Sequence, residues 1–246
     1  MQSKQIHGFT VYFNNEEELG KIIDEVFVHE EYAFRSQTRT PQIIDAGSHI
    51  GIATLYFKSI YPDSVVTAFE PDPDNFKLLQ KNIAINNLRN VTVINAALSD
   101  TVGMMDLYGS TVRKNQWTWG NTIVHSMYGD ESYGKKSTVP TVKLSNYLIK
   151  TVDFLKMDIE GMEERVLKEI EHKLHFINEI VIEYHHTVAT EKQNDLQEIH
   201  ALLKCNSFSV GAVEEDLTNC FPKELDRDSF IKKVGFDAWL VRAKRK

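Results

Sequence analysis

A short apolar run closed by an acid, two glycines four residues apart, then an amphipathic run: residues 43–57, IIDAGSHIGIATLYF, constrain this chain more than any other stretch. Pro41 stops a helix from running into Gln42-Ile43-Ile44, which read as a buried strand. Ile52, Leu55, Tyr56 and Ser59 then recur at helical spacing. Between them the chain must turn through Gly47-Ser48-His49-Ile50-Gly51, and glycine lets a backbone turn sharply and lie close to a ligand. A helix starting near residue 51 aims its free N–H groups and the positive end of its dipole into the same space. The stretch is either an ordinary tight strand-to-helix connection or the floor of a site for a nucleotide-like cofactor.

The rest of the chain repeats the alternation. Residues 15–31, NEEELGKIIDEVFVHEE, put Leu19, Ile22, Ile23 and Val26 on one helical face behind an acidic start. Val65–Phe69 is a buried-type strand. Asp72 is a natural N-cap, with Pro73 at the first helical position, ahead of Phe76, Leu79 and Ile83; Asn86-Asn87 closes that helix. Strands follow at Val91–Ile94, Phe154–Met157 and Glu179–Tyr184, with helical stripes at Met162, Val166, Ile170 and Leu174 and from Gln193 to Leu203. Phe208–Val213 and Phe236–Val241 read as late strands paired antiparallel. The pattern predicts an α/β fold: a mostly parallel sheet with an antiparallel C-terminal strand and helices on both faces. Ligands of such sheets bind outside the carboxyl ends of the strands. We expect one domain over residues 1–246, with residues 1–40 as an N-terminal helical extension. Residues 108–139 lack a period yet hold Trp117, Trp119, Tyr128 and Tyr133. A variable loop insertion that long has two readings: a solvated segment whose aromatics pack on the body, or a lid that offers surface to a substrate.

Composition bounds the partners. Hydrophobic content of 42% and charged content of 26% are those of a soluble globular protein. A formal charge of −7 argues against a nucleic-acid partner, because phosphate affinity is built on clustered Lys and Arg. The basic cluster Arg242, Lys244, Arg245 and Lys246 is expected to be a solvated tail. Cys205 and Cys220 form neither a metal spacing nor a disulfide framework, which fits a reducing cytoplasm. MQSKQIHGF carries no apolar signal region, and no apolar run approaches membrane-spanning length, so a cytoplasmic protein without membrane partners is expected.

The cofactor reading gains from Glu70. It ends the second strand, 19 residues after Gly51, the usual interval to an acid that accepts hydrogen bonds from a ribose diol. A dinucleotide turn would read G-x-G-x-x-G. Here Gly47 and Gly51 give G-x-x-x-G with Asp45 at the head. An acid there would repel a pyrophosphate but suits the ammonium of an amino acid. S-adenosyl-L-methionine carries such an end and a ribose. The residues divide accordingly: Asp45, Gly47, Ser48, His49 and Gly51 for the methionine end, Glu70 for the ribose, Pro71 against the adenine. Small Ala96 and Ala97 after the third strand leave room for that base. Asp100 either bonds the adenine amine or caps a turn.

At this point the chain resembles the FkbM family of S-adenosylmethionine-dependent methyltransferases. The likeness rests on IIDAGSHIGIATLYF, VVTAFEPDPDNFKLLQKNIAINNLRNVTVINAALSD and DFLKMDIEGMEERVLKEI. It runs from about residue 42 to 185, excluding most of 108–138. The family's usual turn is D-x-G-A-N-x-G; Ser48-His49 replaces Ala-Asn here. The resemblance implies a class I, Rossmann-like methyltransferase with a seven-stranded sheet, acting on a hydroxyl acceptor such as a small molecule or a glycan.

For the chemistry, Asp158 ends the fourth strand, where it would face a transferable methyl, and is the expected base; His185, ending the next strand, is the second candidate. Glu160 is expected to cap the helix after Gly161. Neighbouring residues on a strand point to opposite faces, so His185 and His186 are not expected to serve one ion. The strand ends admit a metal set of Asp158, Glu183 and His185, but no spacing motif demands it, and no metal is expected. The competing functions are an RNA or protein methyltransferase, a non-catalytic cofactor-binding module, and a nicotinamide oxidoreductase; the glycine spacing speaks against the last.

Overall fold

The structure is a computed structural model. It describes residues 1–110, 117–125, 127–128, 133–215, 231–232 and 234–246. In chain order the elements are β1 (Gln2–Ile6), β2 (Phe9–Phe13), α1 (Glu16–Ile23), β3 (Gln42–Ala46), α2 (Ile52–Ile60), β4 (Val65–Phe69), α3 (Pro73–Ile85), β5 (Val91–Ile94), β6 (Ala97–Leu98), β7 (Gly103–Ser110), β8 (Tyr133–Val142), β9 (Val152–Met157), α4 (Glu163–Glu169), β10 (Ile177–His186), α5 (Leu196–Cys205), β11 (Phe208–Glu215) and β12 (Asp237–Arg245).

The main sheet has seven strands in the order β11-β12-β10-β9-β3-β4-β5. β10, β9, β3, β4 and β5 are parallel, while β12 lies antiparallel between β10 and β11. Successive residues of a strand face opposite sides. Ile44, Ala46 and Phe69 therefore join one core with α4 and α5, and Ile43, Val66, Ala68 and Phe154 another with α2 and α3. The helix starts follow from capping. The Asn15 side chain accepts the Glu18 N–H at α1, Asp72 accepts those of Asp74 and Asn75 at α3, and Asp195 accepts that of Gln197 at α5.

Three expectations are corrected. The N-terminal 40 residues contain more than a helix: β1 and β2 form an antiparallel hairpin ahead of α1, which continues through a π-helical turn at Asp24–Val28. The hairpin docks on α3 through two asparagines one helical turn apart. Asn82 and Asn86 each accept a backbone N–H of β2 and donate to its carbonyl, at Tyr12 (2.7 and 3.1 Å) and Thr10 (2.8 and 2.8 Å). Side-chain amides thus satisfy a strand edge that no neighbouring strand among the described residues covers. Secondly, the 108–139 segment begins and ends in strand: β7 and β8 pair antiparallel and, with β6, form a separate three-stranded sheet. Thirdly, the basic C-terminus is not a solvated tail. All of it but Lys246 lies in β12, where Arg245 donates to the Ile177 and Leu174 carbonyls and covers the Phe208 ring at 4.7 Å. Among the described residues, no helix is long and apolar enough to cross a membrane.

Candidate active site

The carboxyl ends of β3, β4, β9 and β10 meet around one cavity, roofed by residues 118–123. Its floor is the turn after β3. Gly47 has φ +81°, and a Cβ there would stand 1.7 Å from the Asp158 carbonyl oxygen, so the end of β9 leaves room for no side chain. Gly51 serves a different purpose from the one expected. Its φ is +95°, but it does not line the cavity; a Cβ there would meet Leu79 at 2.7 Å, so it lets α2 pack on α3. His49, at φ +49°, takes a left-handed conformation that histidine tolerates better than most residues.

Glu70 joins the two turns. Its Oε2 accepts the His49 N–H and its Oε1 the Asp72 N–H, both at 2.8 Å. Burial pushes its carboxyl up to about 8, against the pull of these donors and of Lys156. Asn95 donates to the Glu70 and Pro71 carbonyls at 2.8 and 3.1 Å and holds the chain that carries both. Pro71, Ala96 and Ala97 line the cavity, as does Ser48, whose hydroxyl donates to the Asp45 carbonyl at 2.8 Å.

Asp45 does not line the cavity. The pleat of β3 sends its side chain beneath the turn, fully buried, where Oδ2 accepts the Thr54 hydroxyl at 2.6 Å and Oδ1 stands 4.0 Å from the Lys156 ammonium. The expected place of Asp45 on the cavity wall is thus corrected: its side chain lies under the turn, not in the cavity. Burial pushes the Asp45 carboxyl up despite Lys156. Lys156 is the residue that sequence reading missed. Its ammonium, on a side chain only 4% exposed, donates to the Gly47 carbonyl at 2.7 Å and to Asp158 Oδ2 at 2.9 Å. Burial opposes that charge, but Asp158 and Asp45 more than offset it and hold its pKa raised. A lone lysine inside the apolar strand VDFLKM was the available signal: a charge there needs buried partners.

The other oxygen, Asp158 Oδ1, stands 3.9 Å from His185 Nδ1. His185 is buried and lines the cavity. Burial would lower its pKa, yet Glu160, Glu163 and Asp158 together raise it well above the ordinary value. His186 points the other way, with Nδ1 3.2 Å from the Asn194 carbonyl, as the strand alternation predicts. Glu160 does not cap the helix as expected. The N-cap position, Met162, makes no side-chain capping bond; Asn194 Oδ1 accepts the Glu164 N–H at 3.0 Å, Glu163 takes the Gly161 N–H on both oxygens at 3.1 Å, and Glu160, at φ +54°, turns its carboxylate to the Tyr128 hydroxyl. Burial raises Glu160 to about 7. Asp100 lies outside the cavity, in a two-pronged bond to Arg165 at 2.8–3.2 Å.

The roof is tied down. Glu18 Oε1, from α1, accepts the Thr118 and Trp119 N–H groups, Asn121 donates to Asp72 at 2.8 Å, and the Thr118 hydroxyl meets His49 Nε2 at 2.7 Å. Burial lowers the His49 pKa, so its ring is a neutral partner here. Trp117 is packed inside, 2% exposed, and meets Trp119 edge-on at 4.9 Å; Trp119 alone of the pair lines the cavity.

A seven-stranded sheet of this order, with a glycine turn after β3 and an acid ending β4, defines a Rossmann-like methyltransferase of class I. Comparison with known proteins narrows the class. A family model for the methyltransferase FkbM domain matches residues 45–210. The chain is 28% identical over 221 residues to methyltransferase sdnD of Sordaria araneosa, across 77% of this chain and 82% of that protein. It is 26% identical over 226 residues to methyltransferase 1 of Beauveria bassiana (strain ARSEF 2860), across 85% and 89%. The crystal structure of a methyltransferase FkbM from Methylobacillus flagellatus KT shares the fold, with a TM-score of 0.53 at 16% identity; the match covers 85% of this chain and 45% of that one. The chain belongs to the FkbM family of S-adenosylmethionine-dependent methyltransferases.

Proposed function

We propose that this chain binds S-adenosylmethionine in the cavity and transfers its methyl group to a hydroxyl oxygen of a small molecule or sugar. One observation carries the reading: a single cavity joins a buried carboxylate able to hold a diol, Glu70, to a cluster able to take a proton, Asp158 with His185. The lining fits the cofactor. Each Glu70 oxygen keeps accepting capacity beyond its one N–H bond, enough for a ribose diol. Phe69, Pro71, Ala96, Ala97 and Leu98 offer apolar surface to a purine. Gly47, Ser48 and His49 cradle the amino-acid end, and Asp45 supports them through Lys156.

S-adenosylmethionine supplies an electrophilic methyl group on a sulfonium centre. The chain must hold the acceptor oxygen in line behind that carbon and take its proton as the new bond forms. Lys156 occupies Asp158 Oδ2 and orients the carboxylate, leaving Oδ1 as the proton acceptor; His185, the second candidate at 3.9 Å, serves as a base only after giving up the proton that the surrounding carboxylates favour. Trp119 and Phe236 supply walls for the acceptor. The charge of −7 weighs against RNA, and the family's activity against a non-catalytic module.

Calorimetry with S-adenosylmethionine and NAD, followed by a screen of sugar and small-molecule alcohols, tests the reading. Binding of the first alone is expected. Asp158→Asn should keep cofactor affinity within a few-fold and lower turnover by at least about 10²-fold. Near-parental turnover would move the base to His185, and lost affinity would make Asp158 a cofactor ligand. Methylation of RNA or protein in place of alcohols would overturn the acceptor class.

A further inference from the structure

We infer that Asp158, Glu183 and His185 form a site for one first-row divalent cation, such as Mn²⁺, with open coordination positions toward the cavity. The register brings them together. Met157 pairs with Ile182, so Asp158, one residue on, comes beside Glu183; His185, two residues further along β10, shares Glu183's face. One ligand atom from each of the three lies within 4.8 Å of the others, and all three residues line the cavity.

The spacing is that of ligands around an ion rather than of partners bonded to each other. His185 Nδ1 is 3.9 Å from Asp158 Oδ1, too far for a hydrogen bond. Two ligands each about 2.1 Å from one ion stand about 3.0 Å apart at a right angle and about 4.2 Å apart in line. Nδ1 is also an orphan. It belongs to a side chain 8% exposed and has no hydrogen-bond partner. The other carboxylate at 3.9 Å, Glu163, is committed to the Gly161 and Ile159 N–H groups and the Asn194 amide. A buried imidazole nitrogen left unsatisfied beside two carboxylates that reach the cavity wants a cation between them.

Charge agrees. Asp158, Glu160 and Glu183 line the cavity with His185, and the Lys156 ammonium is shared between Asp158 and Asp45. Lys156 holds Oδ2 of Asp158 and leaves Oδ1 for the ion. Two carboxylates with one imidazole and free positions suit a first-row divalent ion better than Ca²⁺, which takes oxygen ligands alone. The inference rests on the hydroxyl-transfer reading and deepens it. An acceptor oxygen that enters the coordination sphere is held in place and loses its proton to solvent more readily, and Asp158 then serves as ligand instead of base.

The test is a Mn²⁺ titration of the full chain after chelator treatment, followed by the paramagnetic signal of free Mn²⁺ and by calorimetry. One ion per chain is expected. His185→Ala and Glu183→Gln should each weaken binding by at least about tenfold, since even residues behind the ligands usually cost 10–100-fold. Asp74→Asn, an exposed acid elsewhere, should leave it unchanged. Nitrogen coupling in the spin-echo spectrum of bound Mn²⁺ should vanish in His185→Ala. Absence of stoichiometric binding, or binding untouched by His185→Ala, overturns the site. S-adenosylmethionine affinity is measured on the same samples: cofactor binding and full transfer rate in excess chelator would overturn the ion and leave the transfer reading, whereas lost cofactor binding in the parent would sink the transfer reading alone.

Discussion

Glu70 offers the sharpest test, because two independent quantities follow from its surroundings. Its carboxylate already accepts the His49 and Asp72 N–H groups, and the proposed ribose diol would add a second bond to each oxygen. Two hydroxyl bonds to a charged acceptor contribute at least about 3–4 kcal/mol, and removing the proton from a carboxyl whose pKa is about 8 takes back roughly 1.4 kcal/mol at pH 7, which leaves about 2–3 kcal/mol. Glu70→Ala should therefore weaken S-adenosylhomocysteine, the product with a neutral sulfur, by about 30- to 150-fold. The second quantity is a pH slope. In the free protein burial pushes this carboxyl up to about 8, with Asp72 raising it further and the His49 N–H and Lys156 pulling it down. At pH 7 roughly nine-tenths of molecules then carry the proton, while the diol is held best by the ionised form. Binding at pH 7 should release close to one proton, and affinity should rise about tenfold from pH 7 to 9. Calorimetry in buffers of different ionisation enthalpy measures both. Glu70→Gln should lose the slope and the released proton. The same shift has a sign for stability: Glu70's favourable contribution is full below the unfolded value of 4.5 and is lost as pH rises through about 8. The free parent should lose Tm from pH 5 to 9 more steeply than Glu70→Gln. A parent whose affinity ignores pH, or a folded Glu70→Ala that binds as tightly, would refute the assignment.

Gly47→Ala places a methyl 1.7 Å from the Asp158 carbonyl oxygen at φ +81°, and should cost at least about 3 kcal/mol in urea unfolding; a parental midpoint would contradict the packing described. Lys156→Met leaves Asp45 and Asp158 without their shared cation and should cost about 3–5 kcal/mol, read the same way. Glu18→Ala removes the acceptor for the Thr118 and Trp119 N–H groups, so exchange of those amides should accelerate at least tenfold, with bonds to a charged group contributing about 1.5–3 kcal/mol; unchanged exchange would show that the roof is held elsewhere. Trp119→Ala should weaken acceptor more than cofactor, whereas Trp117→Ala, with the ring packed inside, should lower stability by about 3–5 kcal/mol; an effect of Trp119→Ala confined to the cofactor would make the roof a cofactor cover.

Local chemistry made much of this protein legible before folding. Periodicity placed β3, β4, β5, α2 and α3, capping placed Asp72 and Pro73 at a helix start, and strand parity separated His185 from His186. Each of these depends on neighbours within a few residues. The same holds for Glu70, whose place at a strand end follows from the apolar run before it. What the sequence could not decide depended on residues far apart along the chain. The hairpin of residues 2–13 is held by Asn82 and Asn86, some 70 positions away. Gly47 and Gly51 look alike in the sequence, yet one makes room for the end of β9 and the other for Leu79. Asp45 and Asp158 both end strands. Only the parallel pairing of β3 with β9, which sets Lys156 opposite Asp45, puts that lysine between them, buries the first beneath the turn and leaves the second facing the cavity with His185. Pleat and helical turn repeat over two to four residues and can be read along the chain, but charge pairing and close packing need the third dimension, because the partners meet only once the sheet has formed.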